Sequence, residues 1–126
     1  MTGGSRILFV DDEPAIVEAC VLAASIAGYV VEGFSRAAEA LDRYRADPQG
    51  YRAILTDYTM AEMSCTDFLA RIRAIRPDIP VYLCTGNAEH EIQEAARALA
   101  VSGVLYKPFD FETLEAFLRD NLPLGG

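Results

Sequence analysis

Short runs rich in Val, Ile, Leu, Phe and Tyr alternate along the chain with longer stretches whose apolar residues recur at helical spacing. Arg6–Val10, Tyr29–Phe34, Arg52–Asp57, Ile79–Cys84 and Ser102–Tyr106 read as strands. Pro14–Ala27, Ser35–Ala46, Ser64–Ile75, Ala88–Ala100 and Asp110–Asn121 read as helices. Their inner faces are Ile16, Cys20, Ala23 and Ala27 in the first, Ala37, Leu41 and Tyr44 in the second, and Phe68, Leu69, Ile72 and Ile75 in the third. Ile92, Ala95, Ala96 and Leu99 line the fourth. Start signals agree: Pro14 suits a first turn, Ser64 with Asp67 three positions on has the form of a capping box, and Asp110 caps the last helix with Phe109 placed to staple onto Leu114.

Five strand–helix units in strict alternation predict an α/β domain with a parallel sheet covered by helices on both faces. The near-continuous apolar strands fit, because parallel strands are buried on both sides. No repeat, linker or low-complexity segment interrupts the pattern; Asp47–Gly50 and Arg76–Asp78 read as ordinary loops. Residues 1–5 read as a flexible leader and 123–126 as a flexible tail, leaving 6–122 as a single domain, which is all that 126 residues accommodate.

Charge narrows the function. Nineteen acidic residues against eleven basic ones give a net charge of −8, a surface that repels phosphate backbones and argues against direct nucleic-acid binding. The three cysteines, Cys20, Cys65 and Cys84, are an odd number with no C-x-x-C pair, which fits reduced thiols rather than a disulfide framework or a zinc site. No apolar run reaches the ~18–20 residues of a membrane span, so the expectation is a cytoplasmic protein without membrane attachment.

The candidate chemistry lies at the carboxyl ends of the strands. Asp11 and Asp12 follow the first, Asp57 ends the third, Thr85 follows the fourth and Lys107 closes the fifth. Ligands of open parallel sheets bind at that edge. Clustered carboxylates repel one another unless a counter-charge is present. Mg²⁺ answers the need, since it takes one or two carboxylates, keeps several waters and leaves room for phosphate oxygens. Lys107 is the only lysine against ten arginines, a compact point charge suited to a phosphoryl oxygen in a confined site. With the Thr85 hydroxyl, the set points to Asp57 as a carboxylate nucleophile on a phosphoryl group.

Val10-Asp11-Asp12-Glu13-Pro14, Thr56-Asp57-Tyr58-Thr59-Met60, Thr85-Gly86 and Lys107-Pro108-Phe109 together resemble the receiver domain of two-component response regulators, over roughly residues 6–122. The resemblance implies a flavodoxin-like (βα)5 doubly wound sheet of strand order 2-1-3-4-5. It implies a phosphoacceptor signalling domain rather than a turnover enzyme, taking a phosphoryl group from phosphohistidine onto Asp57. Asp12, Asp57 and the backbone carbonyl of Thr59 would ligate Mg²⁺, with Asp11 acting mainly through a water. Thr85 would follow the phosphoryl group, Lys107 would bind it, and Pro108 would follow Lys107 through a cis peptide. The implied partner is a histidine kinase or histidine phosphotransfer domain, with the chain either a stand-alone regulator or a segment of a longer regulator or hybrid sensor kinase carrying its own kinase or output domain. Thr59 and Asn87 occupy positions that tune hydrolysis in the family.

Three departures from the family pattern stand out. Ala61 follows Met60 where Met-Pro is usual, Cys65 replaces a glycine, and Val104 stands where many receivers carry a switching Tyr or Phe. Tyr106 lies on the same face of the strand two residues nearer the site, and is the candidate replacement. Elsewhere plainer readings hold. Asn87 is expected to cap the next helix, His90 to be solvated, Cys20 and Cys84 to be core, and Cys65 to be more exposed. In the first helix, Val17, Val21 and Leu22 either are buried by neighbouring elements or form an apolar docking patch beside the acidic site. Two alternatives to the receiver reading remain: a Mg²⁺-dependent phosphohydrolase of similar fold, and a pseudo-receiver serving only as an interaction module.

Overall fold

The computed structural model describes residues 4–124; the outer parts of the proposed leader and tail, 1–3 and 125–126, lie outside the described residues. The chain runs β1 (Arg6–Val10), α1 (Pro14–Ile26), β2 (Val30–Phe34), α2 (Ala37–Ala46), a 3₁₀ turn (Pro48–Gly50), β3 (Tyr51–Asp57), α3 (Cys65–Ile75), β4 (Val81–Thr85), α4 (Glu89–Ala98), β5 (Gly103–Tyr106) and α5 (Phe111–Asn121). All strand pairings are parallel, in the order β2-β1-β3-β4-β5. Both faces are covered. Leu8, Val10, Ile54, Val81 and Leu83 pack under α2, α3 and α4, while Ile7, Phe9, Ala53, Leu55 and Cys84 pack under α1 and α5. The alternation along each strand thus feeds two separate cores.

Local chemistry explains several boundaries. At the end of α1, Gly28 takes φ +97°, with its N–H donating to Ser25 O and that of Tyr29 to Ala24 O, the two bonds of a Schellman cap. Tyr29 is thereby held in the cap, and β2 begins one residue later than its side-chain type suggests. The face of α1 is also rotated from expectation: Val17, Cys20 and Ala24 are the buried residues. Gly33 of β2 is the cause, since a Cβ there would collide with Val17 Cγ1 and meet Val21 Cγ2 at 2.8 Å. The missing side chain lets the helix sit down on that strand.

The same cap recurs after α4 without a glycine. Ala100 N–H donates to Arg97 O and Val101 N–H to Ala96 O, with Ala100 at φ 53°. An alanine there costs about 1 kcal/mol. The Arg73 guanidinium of α3 reaches across to donate to the carbonyls of Leu99 and Ala100, the latter at 3.0 Å, satisfying acceptors that the helix end leaves open.

The edge at the strands' amino ends is tied by ions. Arg6 donates to Asp47 Oδ2 at 2.5 Å and to Gly50 O at 3.3 Å, lies 4.7 Å from the centre of the Tyr51 ring, and pairs with Glu32 at 3.6 Å. Arg43 pairs with the same Glu32 oxygen, and the Tyr51 hydroxyl donates to Glu32. Gly4 lies so close to Gly50 and Tyr51 that a Cβ would collide with their backbone.

Candidate functional site

The opposite edge gathers the acidic residues. Asp11 follows β1, and its backbone N–H donates to Phe34 O at 3.1 Å, extending the ladder to β2 by one rung. Its side chain is fully buried. Oδ1 accepts from Glu13 N–H at 2.9 Å, and Oδ2 accepts from Lys107 Nζ at 2.5 Å. Lys107 leaves the end of β5, where its N–H donates to Thr85 O at 2.7 Å, followed by a cis peptide to Pro108. Its ammonium also lies 3.3 Å from Asp57 Oδ2. Residues separated by up to 96 positions thus meet at one nitrogen.

The electrostatics are unbalanced. Burial pushes the Asp57 carboxyl above its ordinary pKa; Lys107 pulls it back, the charge on Asp11 adds to the rise, and the Thr59 N–H donated to Oδ1 at 3.3 Å opposes it. The net direction is upward. Burial also works against a charged Lys107, but the hydrogen bond to Asp11 and the charges of Asp57 and Asp11 outweigh it and raise its pKa. Lys107 therefore stays an ammonium while the carboxylates around it remain short of counter-charge.

Asp12 behaves differently from its neighbour. It is exposed, and its Oδ2 accepts from Ala61 N–H at 2.7 Å. The turn after β3 is therefore held from two sides, by Asp57 at Thr59 and by Asp12 at Ala61. Glu62 in the same turn supplies a third tie, its Oε1 accepting from Ala38 N–H at 3.0 Å at the start of α2, where Arg36 gives no side-chain cap. That amide hydrogen bond holds the Glu62 carboxyl below its ordinary pKa. Ser64 then caps α3 through Asp67 N–H at 3.0 Å.

The donor chemistry suits a hard, partly hydrated cation. Among the described residues no group of three or more His, Cys, Asp or Glu side chains is placed to hold a metal ion by itself, and Asp11 is engaged by Lys107. Asp12 and Asp57 offer only oxygen donors, of which a hard cation that keeps several waters takes one or two.

Thr85 ends β4 and is buried. Its Oγ1 donates to Asn87 Oδ1 at 2.9 Å and accepts from Asn87 N–H at 3.0 Å. Asn87 thus holds Thr85 and does not cap α4. The helix starts later, with Ala88 as its cap residue and Glu91 reaching back to accept from Ala88 N–H at 3.2 Å. Tyr106 stands directly opposite Thr85 in the β4–β5 register, and Val104 opposite Leu83. Both are half-buried and pack against the core under α2–α4, so the shared face read from strand alternation is the observed one.

Two other expectations need correction. Cys65 is buried, not exposed, because it opens α3 facing the core, and burial with the charge of Asp57 pushes its thiol up to about 12. On α1, Val17 is buried and Val21 half-buried, but Leu22 is 64 % exposed, as is Ile26 at 69 %; neighbouring elements do not cover the whole apolar set. Beside it, a groove of about 420 Å³ between α1 and the turn before α5 is lined by Ile16, Ala19, Ala23, Lys107, Phe109 and Phe111 among others. His90 is exposed, and Cys20 and Cys84 are core, as expected.

The Ala61 amide and Glu62 escaped sequence reasoning. Backbone donors carry no residue signature, although the absence of proline after Met60 was visible and leaves an N–H free to be used.

Comparison with known proteins bears on the chain as a whole. The family model described as response regulator receiver domain matches residues 7–119. The chain is 32% identical over 109 residues to the response regulator receiver protein CpdR of Brucella abortus, covering 86% of this chain and 89% of that one. It is 29% identical over 122 residues to the sensor kinase CckA of the same organism, covering 97% of this chain but 13% of the kinase. Among solved structures, the chemotaxis protein CheY4 of Vibrio cholerae superposes with a TM-score of 0.83 at 27% identity, covering 94% of this chain and 98% of that one. The response regulator TrrA of Thermotoga maritima, solved in complex with Mg²⁺-BeF, gives 0.78 at 25% identity, covering 92% and 97%.

Proposed function

The chain belongs to the response regulator receiver domain family, a family of signalling domains rather than enzymes of ordinary turnover, and from that premise we propose that Asp57 accepts a phosphoryl group from the phosphohistidine of a histidine kinase or phosphotransfer domain. The observation that carries this reading is the ammonium of Lys107, 2.5 Å from Asp11 and 3.3 Å from Asp57, the one cation paired with either carboxylate among the described residues.

An oxygen of the Asp57 carboxylate forms the new P–O bond. The P–N bond to the donor imidazole breaks, and the imidazole keeps the electron pair and takes up a proton. Lys107, already beside Asp57, neutralises charge on an equatorial phosphoryl oxygen, and Asp11 keeps that ammonium aimed. Asp12, Asp57 and the Thr59 carbonyl would hold Mg²⁺, which when bound supplies charge neutralisation to the transferring group; the Mg²⁺-BeF complex of TrrA supports this for a relative. Attack of water on the acyl phosphate later returns Asp57 to its carboxylate, and Thr59 and Asn87 flank its approach.

The acyl phosphate is the signal. Thr85 must leave Asn87 to donate its hydroxyl to a phosphoryl oxygen, and Tyr106, opposite Thr85 in the sheet, follows it in place of the aromatic that Val104 lacks. The switch is a shift in population between these two arrangements. Equal partner affinity of the phosphorylated parent and phosphorylated Tyr106→Ala would exclude that role. The exposed apolar residues of α1 and the adjoining groove suit the donor's docking surface, since a donor must reach Asp57 across that rim.

Incubation with acetyl phosphate and Mg²⁺, read by intact mass, tests the central claim. The parent gains one phosphoryl group and Asp57→Asn gains none. Labelling of Asp57→Asn, or continuous turnover of acetyl phosphate without a labelled intermediate, overturns it.

A further inference from the structure

We infer that the backbone N–H of Ala61 is a positioning group for Mg²⁺: it holds one oxygen of the Asp12 carboxylate so that the other is presented to the cation. This rests on the metal site proposed above and adds to it a group outside the ligand set.

Asp12 is exposed and, among the described residues, accepts a hydrogen bond from Ala61 alone, whereas Asp11 beside it is buried and held on both oxygens. A carboxylate on a solvated loop samples several rotamers, and each one that faces water lowers the fraction ready to ligate. The 2.7 Å bond from Ala61 removes that freedom, at Oδ2 alone. Oδ1 stays open to a cation, on the residue that spans from the end of β1 to the turn after β3. The same turn presents Thr59, whose N–H binds Asp57 Oδ1. One short turn therefore orients both carboxylates of the candidate site, and Glu62 fixes that turn against the start of α2. Outer partners of this kind, bonded to a ligating carboxylate, govern how well a metal is held.

Only a residue with an N–H can do this. A proline after Met60 would offer the same chain path without the donor, so the alanine at this position is what makes the contact available.

The test is a calorimetric titration of the unphosphorylated full chain with Mg²⁺ alone, comparing the parent with Ala61→Gly, which keeps the N–H, and Ala61→Pro, which removes it. Ala61 is exposed, and a thermal melt of each variant accompanies the titration. The expected result is an affinity for Ala61→Gly within about twofold of the parent and a loss of about tenfold in Ala61→Pro. Ala61→Pro binding as tightly as the parent or more tightly, or Ala61→Gly losing as much as Ala61→Pro, overturns the inference while leaving the phosphoacceptor reading intact. A parent that takes up no Mg²⁺ overturns both. Should Ala61→Pro fail to fold, amide NMR of the metal-free parent decides: the Ala61 proton must be protected from exchange and lose that protection in Asp12→Ala, and an Ala61 proton that exchanges freely in the parent overturns the inference.

Discussion

The two edges of the sheet handle charge in opposite ways. At the amino ends, Arg6 and Arg43 face Glu32 and Asp47, with the Tyr51 ring and hydroxyl completing the set, and Arg76 donates to the carbonyls of Pro48 and Tyr51 at 3.2 and 2.7 Å. Positive and negative groups there are matched, and the product is cohesion. At the carboxyl ends, Asp11 and Asp57 share one lysine, and Asp12 pairs with no cation among the described residues. That edge holds an electrostatic deficit which a cation and a phosphoryl group together can occupy. Neighbouring acids in one fold are thus structural or reactive according to whether their charge is already answered.

Substituting the cation at each edge separates the two roles. Lys107→Met is expected to slow labelling of Asp57 by acetyl phosphate by about 10²-fold or more, the scale of losing one preorganised charge partner in a transition state, followed as an intact-mass time course. Arg6→Met is expected to leave that rate unchanged and to lower stability by about 1–2 kcal/mol in urea unfolding, through lost hydrogen bonds and ion pairs. A rate loss in Arg6→Met would erase the contrast between the edges.

The amino-end edge also holds a strained residue. Ala100→Gly is expected to stabilise the protein by about 1 kcal/mol, because glycine takes φ 53° without penalty; a thermal or urea midpoint that falls would show the Arg73 contacts to be more sensitive to chain entropy than to strain. The smallest effect is a pH dependence. The Glu62 pKa is depressed in the folded state by the Ala38 amide, so its contribution to stability is present above the unfolded glutamate value of ~4.3 and is lost as the pH falls through the lower folded value. Glu62→Gln should be slightly less stable than the parent at about pH 7 and indistinguishable from it at the acid end of that window, measured by melts across about pH 3–7.

The repeating strand–helix pattern and the placement of Asp11, Asp57 and Lys107 at strand ends were legible because they rest on periodicity and on residue type. The strand order came from family resemblance, since hydrophobic pattern says which face is buried and not which strand lies beside which. Features decided by backbone geometry were misread. Tyr29 looks like a strand residue until the Ala24 carbonyl claims its amide for a helix cap, and Asn87 looks like a helix cap until Thr85 claims its side chain. Cys65 was expected to be more exposed, yet the first turn of α3 aims it inward. The rotated face of α1 came from Gly33 on a different element, a constraint no single-helix wheel contains.

The guanidinium of Arg73 grips the far end of α4 through two carbonyls, whereas the near end rests on Thr85, Asn87 and Glu91, groups that can exchange partners. Under the proposed switch, the departure of Thr85 from Asn87 would loosen only the near end, and over ten residues, an arm of about 15 Å, that release would turn the helix about its held tip.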